Sequence, residues 1–255
     1  MKINSPEEAE VIIQRLSSDM GIHRNPRKGT LNAPKKILEG LEFDRPVMVD
    51  EVFPDEFDLE ETHDRIYENT LELAEFDRPI VSLGGDHSVS YPVVKALKEK
   101  NPDLNLVWLD AHLDLKEKVD GHVSHDVVVR ELLEHGFSEE DIIFVGITEI
   151  DHDEKEFLEN HDFTIYRSGR VSEFLEKASF EGPIYLSVDI DVLRKEEAPG
   201  TGYRDGDLGL DQVLEVIESV NPDYADLVEV APSLDRENIT AENSRKILKQ
   251  LVEHV

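Results

Sequence analysis

The sequence contains no cysteine, which excludes disulfides, thiolate metal ligands and a cysteine nucleophile. No segment approaches the run of about 18 apolar residues that a membrane-spanning helix needs. Residues 1–6 (MKINSP) lack the apolar core of a secretory signal, so the expected location is the cytoplasm. There is no Pro/Gly/Ser-rich linker, low-complexity tract or internal repeat. The 255 residues are therefore expected to form a single domain over 1–255, long enough to bury a sizeable core. Positive charge is also scarce: 27 Lys and Arg stand against 58 Asp and Glu, a net charge of −31. Nucleic acid and anionic membranes would be repelled by such a chain and are not expected as partners.

What the sequence does contain is an alternation of apolar runs and amphipathic stretches. Ser5 and Pro6, followed by acids, have the form of a helix start, with Val11, Ile12 and Leu16 at helical spacing behind them. A Gly-, Pro- and base-containing loop follows over residues 21–29, then a helix from Asn32 to Leu38. A short strand is expected at 47–49 and a helix at 59–75. From there strands at 80–83, 104–109, 142–145, 184–188 and 227–230 alternate with helices at 92–100, 127–135, 154–160, 210–220 and 241–254. Near-continuous apolar strands between amphipathic helices predict an α/β fold with a mostly parallel sheet covered on both faces.

Three strings sit at the ends of these strands: GGDH at 84–87, DAHLD at 110–114 and SVDID at 187–191. Side chains there lie at the rim of the sheet, where open α/β folds place their chemistry. In so acidic a chain an acid-x-His-x-acid string arises by chance about 0.5 times, so DAHLD alone is weak. Its position after a strand strengthens it, because Asp110, His112 and Asp114 would share one side of extended backbone. Asp189 and Asp191 repeat that spacing, and His87 follows a Gly pair that permits a tight turn. Carboxylates with some imidazole and no thiol suit Mn²⁺, although Zn²⁺, Co²⁺ or Fe²⁺ would fit as well. Two such ions sharing carboxylates lower the pKa of water, which is hydrolytic chemistry. A single Mg²⁺ or Ca²⁺ site is the alternative.

Together GGDHSVS, WLDAHLDL, LSVDIDVL followed by APGTG, and LVEVAPSLDRENITA resemble the ureohydrolases: arginases, agmatinases and formimidoylglutamases. The resemblance runs from about Gly29 to the C-terminus. It implies a three-layer α/β/α fold, two Mn²⁺ ions and hydrolysis of a guanidino or formimino group by a bridging hydroxide. It places His87, Asp110, Asp114 and Asp189 on one metal and Asp110, His112, Asp189 and Asp191 on the other. The implied catalytic set is His125, Glu229 and Asp114. Glu229 would pair with the substrate guanidinium and His125 would pass a proton to the leaving amine, with His122 its rival. His135, His152 and His161 read as ordinary surface. The family also implies trimers or hexamers.

The chain departs from the family at residues 193–197, where the usual Asp-Pro is missing, and at 203–207, which replace TPxPGG. It also begins with a helix-like segment where relatives begin with a strand. The stretch between Asp114 and His125 is shorter than in arginases and resembles archaeal agmatinases. A dication such as agmatine also suits an acidic protein better than zwitterionic arginine. A small cationic guanidino compound is thus the expected substrate, agmatine before arginine, with putrescine as product and polyamine biosynthesis as setting. Formimidoylglutamate, an anion, comes third. Lys116 or Lys118 could instead meet an α-carboxylate, and a non-catalytic homologue is a further alternative.

The charge makes a separate prediction. Acidic runs such as residues 51–64 and 151–159 repel one another in the folded state, as in proteins adapted to high salt. Screening shortens from about 10 Å at 0.1 M to about 3 Å at 1 M salt. Thermal melts at fixed saturating Mn²⁺ should show Tm rising substantially between 0.1 and 1 M KCl; a flat or falling Tm would remove the halophilic reading.

Overall fold

The computed structural model describes residues 2–22 and 28–255, so residues 23–27 of the loop expected at 21–29 lie outside the described part. Nine strands form one sheet: β1 (Lys2–Ile3), β2 (Val11–Leu16), β3 (Val47–Val52), β4 (Ile80–Gly84), β5 (Asn105–Leu109), β6 (Ile142–Ile147), β7 (Thr164–Arg167), β8 (Ile184–Asp189) and β9 (Tyr224–Val228). Their spatial order is β1-β3-β2-β4-β9-β8-β5-β6-β7, and each of these neighbouring pairs is parallel.

The eight α-helices described are α1 (Ala33–Leu38), α2 (Leu59–Ala74), α3 (Ser90–Lys100), α4 (Val128–Leu133), α5 (His152–Leu158), α6 (Val171–Lys177), α7 (Leu210–Val220) and α8 (Ile239–His254). Strand side chains alternate between two cores, as a pleated backbone requires. Val81, Leu83, Val107 and Leu109 face one side with Ile37, Phe174, Val213 and Ile247, from α1, α6, α7 and α8. Ile80, Leu106 and Trp108 face the other with Ile66, Val93 and Val128, from α2, α3 and α4. The expected three-layer α/β/α arrangement is present. Among the described residues no helix is long and apolar enough to cross a membrane.

The N-terminal expectation is corrected. Ser5–Pro6 opens a turn, closed by hydrogen bonds from Glu8 N to Ser5 O and Ala9 N to Pro6 O, at 3.2 and 3.3 Å, and Val11–Leu16 is a strand. The β-branched run Val11-Ile12-Ile13 suits a pleated surface, and with β3 and β4 on either side nearly all of it is buried. The spacing of Val11, Ile12 and Leu16 reads as helical only when the buried Ile13 is left out. Strands β1 and β7 and helix α6 were not anticipated, being short and, in β7, only half-buried.

Every string of chemical interest leaves the carboxyl edge of four adjacent strands, β4, β9, β8 and β5. The turn after β4 is tightest. Gly85 N–H donates to Leu16 O at 2.9 Å and Glu229 N–H donates to Gly85 O at 2.8 Å, binding β2, β4 and the residue after β9 together. A Cβ on Gly85 would lie 1.7 Å from the Ser18 carbonyl oxygen, so backbone would have to move. Gly85→Ala should therefore cost about 3 kcal/mol, as overpacking does, and lower Tm by about 10 °C; an unchanged melt would mean that this turn yields easily.

Candidate metal centre

The residues after β5 do not continue as extended backbone, contrary to the expected reason for their convergence. Asp110 Oδ1 accepts from His112 N–H at 2.7 Å, and Asp189 Oδ1 accepts from Asp191 N–H at 2.7 Å. In both strings the short acidic side chain folds back on the backbone two residues on, leaving its other oxygen directed away. Asp114 takes a left-handed φ of 52°, and its carbonyl accepts from Val129 N–H at 3.1 Å at the start of α4. Turns, rather than strand pleat, gather the carboxylates.

They gather around two imidazoles. His87 Nδ1 lies 3.3 Å from Asp110 Oδ2, 3.3 Å from Asp114 Oδ2 and 3.2 Å from Asp189 Oδ2. His112 Nδ1 lies 3.4 Å from Asp110 Oδ1 and 3.1 Å from Asp191 Oδ2. Asp110 thus faces both groups, one oxygen to each, and among the described residues the clusters able to hold an ion are His87–Asp110–Asp114 and Asp110–His112–Asp191. Asp189 Oδ2 approaches the first, and its Oδ1 accepts from the Asp191 amide.

Their chemistry tests the fit to cations. Ser187 Oγ donates to Asp226 Oδ1 at 2.8 Å, so at its 2.8 Å contact with His87 Nε2 the hydroxyl accepts and the ring donates. His87 Nδ1 is then a lone pair facing three carboxylate oxygens. His87 Nδ1, Asp110 Oδ2 and Asp191 Oδ1 are buried without a hydrogen-bond partner. Buried acceptors facing acceptors are costly unless a cation lies between them. Trp108 stacks under the His87 ring at 4.1 Å and 6° and holds it flat. These residues fit divalent ions.

Without a cation the electrostatics are strained. Burial, with Asp110 beside it, pushes the Asp114 carboxyl up to about 7. Burial and the neighbouring Asp191 and Asp110 raise Asp189 well above the carboxylate range. Burial opposes charging of His87, but the carboxylates of Asp110, Asp114 and Asp189 around Nδ1 favour the imidazolium and push it well above the usual imidazole value. These shifts show how strongly the cluster favours positive charge at its centre.

A cavity of about 150 Å³ opens over this cluster, lined by His87, His112, Asp114, Asp189, Asp191, His125 and Glu229. Glu229 follows β9 in a left-handed conformation with φ 62°. It is 4% exposed and its Oε1 accepts from His87 N–H at 2.9 Å; burial pushes its carboxyl up to about 7. His125 precedes α4, buried, with Nδ1 3.0 Å from Gly21 O. His122, the rival, is 45% exposed beside Glu60 and does not line the cavity. His135 meets the Tyr91 hydroxyl, while His152 and His161 pair with Glu156 and Glu139, all away from the site.

Asp126, Glu149, Asp151 and Glu154 also line the cavity and went unread in the sequence, while Tyr203 and Asp205 bring in the altered loop at 203–207. Lys116 lines the cavity too, 2.7 Å from Asp151 and 3.7 Å from Asp126, while Lys118 pairs with Glu131. The two departures from the family pattern separate. Residues 193–197 brace the backbone, with Arg194 N–H donating to Leu208 O at 2.9 Å and Glu197 accepting from Leu210 N–H. Tyr203 reaches the site, its ring 5.3 Å from that of His112 and 6.1 Å from that of His125.

The chain and its fold resemble known proteins. The chain is 30% identical to an agmatinase of Bacillus cereus over 270 residues, 96% of this chain and 92% of that protein. It is 32% identical to an agmatinase of Bacillus subtilis with the same coverage. The fold matches that of proclavaminate amidino hydrolase from Streptomyces clavuligerus with a TM-score of 0.86 at 24% identity, over 99% of this chain and 94% of that one. Residues 16–253 match the model of the arginase family, and the chain belongs to that family.

Proposed function

We propose that the chain is a manganese-dependent agmatinase, which adds water across the guanidino carbon of agmatine and releases urea and putrescine. The observation that carries this reading is the cavity mouth. Asp126, Glu149, Asp151 and Asp205 line it, and the lysine among them, Lys116, is tied to Asp151. Such a mouth suits a substrate whose far end is an ammonium; an α-carboxylate would meet acids and an already paired lysine. The names of the two Bacillus relatives support the same choice. The archaeal resemblance of residues 114–125 stays with this reading, as do the cytoplasm, polyamine biosynthesis, a high-salt setting and a trimeric or hexameric assembly.

His87, Asp110, His112, Asp114, Asp189 and Asp191 would hold two Mn²⁺ ions, whose Lewis acidity supplies an activated water near neutral pH. Glu229 fixes the guanidinium: with Oε1 occupied by the His87 amide, Oε2 is left for the substrate N–H groups, in a buried place where a charged partner counts for more than in water. Asp114 orients from the first group of ligands. His125 Nδ1 meets a carbonyl and must carry its hydrogen, so Nε2 is the atom that takes up a proton and hands it to the departing amine.

Purified protein with Mn²⁺ should release urea from agmatine with kcat/KM at least about 100-fold above that for arginine or 4-guanidinobutyrate; preference for arginine would transfer the assignment to arginase. Glu229→Gln should keep its metal content and lose about 100-fold or more in kcat/KM, whereas Asp110→Asn should lose metal. Parent-level activity in Glu229→Gln would rule out this substrate pose.

The metal should also leave a pH signature. In the metal-free fold Asp114 and Glu229 hold protons up to about pH 7, whereas unfolded carboxyls release them near pH 4. The folded state binds more protons across this window, so the associated stability is full below about pH 4 and lost as pH rises through 7. Cations replace those protons, and Mn²⁺ should raise Tm more at pH 8 than at pH 5. Equal shifts at both values would contradict the site.

A further inference from the structure

We propose that Gly21, on the loop after β2, is a positioning residue for His125: its peptide locks the imidazole in the tautomer that presents Nε2 to the cavity. The proposal rests on the reading of His125 as the proton-transferring group.

The Gly21 carbonyl accepts twice from His125, from the backbone N–H at 3.1 Å and from Nδ1 at 3.0 Å. A carbonyl oxygen has only lone pairs, so Nδ1 must be the protonated nitrogen; the other tautomer would set two lone pairs against each other. The preceding peptide is held as well. Gly21 N–H donates to Asp86 Oδ2 at 3.0 Å, and Asp86, 0% exposed, is itself fixed by Ser88 N–H on Oδ1 at 2.9 Å. The two peptide planes that meet at the Gly21 Cα are thus tied to a buried carboxylate on one side and to His125 on the other, which limits how far the carbonyl can tilt.

Position 21 admits no side chain. A Cβ there would lie 2.2 Å from Ser88 Oγ, 2.4 Å from Ser88 Cβ and 2.4 Å from Asp86 Oδ1. Any substitution must swing the peptide, and with it the carbonyl that orients His125. The charged and titratable groups facing the ring are Glu229, Asp126, Asp114 and Asp86, with the Tyr203 ring lying 6.1 Å away. These acids favour imidazolium from several directions. The Gly21 carbonyl acts on one nitrogen only, and so decides which one works.

The test uses the whole enzyme. Histidine ¹⁵N NMR of the parent, loaded with diamagnetic Zn²⁺, should show neutral His125 as the Nδ1–H tautomer. An Nε2–H form, or a mixture, would overturn the proposal, and this measurement needs no variant to fold. In Mn²⁺-loaded Gly21→Ala, kcat for agmatine should fall about 100-fold, within the range of a lost acid–base contribution. KM should change less than about threefold, and metal content should be unchanged. The alkaline limb of the kcat–pH profile should move to lower pH, because a lost acceptor no longer favours the imidazolium. A folded Gly21→Ala with the parent kcat and profile would overturn the proposal. His125→Asn separates the two readings. Parent-level activity there would remove the acid–base role on which the proposal rests, whereas an inactive His125→Asn beside an unaffected Gly21→Ala would remove only the role of Gly21.

Discussion

A bare imidazole lone pair facing three carboxylate oxygens is the contact on which the rest of this molecule depends. His87 Nδ1 has that position because its opposite nitrogen is committed to Ser187, Ser187 to Asp226, and its ring face to Trp108. Each of those partners is buried in the sheet or its hydrophobic layer. The strands therefore do more than bring acids near one another: they hold acceptors in an arrangement that only positive charge relieves. Left-handed backbone at Asp114 and Glu229 belongs to the same economy, since such conformations persist only where surrounding structure over-determines them.

Much of this was legible in the sequence, and the reasons differ by residue. The clustered imidazoles and carboxylates could be read because each string abuts an apolar strand, and strand ends at a parallel sheet's carboxyl edge lie side by side. The geometric reason given for DAHLD was nevertheless wrong, since a backbone-capping carboxylate and a left-handed residue, rather than pleat, bring its members together. The first strand was misread because Val11, Ile12 and Leu16 fit a helical period, and only tertiary pairing with β3 and β4 decides for strand. Asp126 and Asp151 were unreadable as site residues: loops have no period, and in a chain with 58 acids one more carboxylate carries no signal. Gly21 was invisible for a related reason. Its contribution lies in backbone hydrogen bonds to residues 65 and 104 positions away in the chain.

The acidic surface and the acidic cavity mouth act on a cationic substrate over different ranges. The field of a −31 chain draws cations in from solution, but salt screens it within about 3 Å at 1 M. Groups lining a partly enclosed cavity are screened far less, because low-dielectric walls replace most of the ionic atmosphere. Rising salt should therefore weaken the long-range attraction and leave the mouth's preference largely intact. Lys116 shows the same division of labour. Drawn to Asp151 at 2.7 Å and Asp126 at 3.7 Å, it neutralises part of the mouth without offering a free cation to an anionic substrate. Its companions Glu149 and Asp205 remain on the cavity wall. On the agmatinase reading, selection between an amine and an amino acid rests on these acids around the cavity, and the surface charge governs how often a cation arrives.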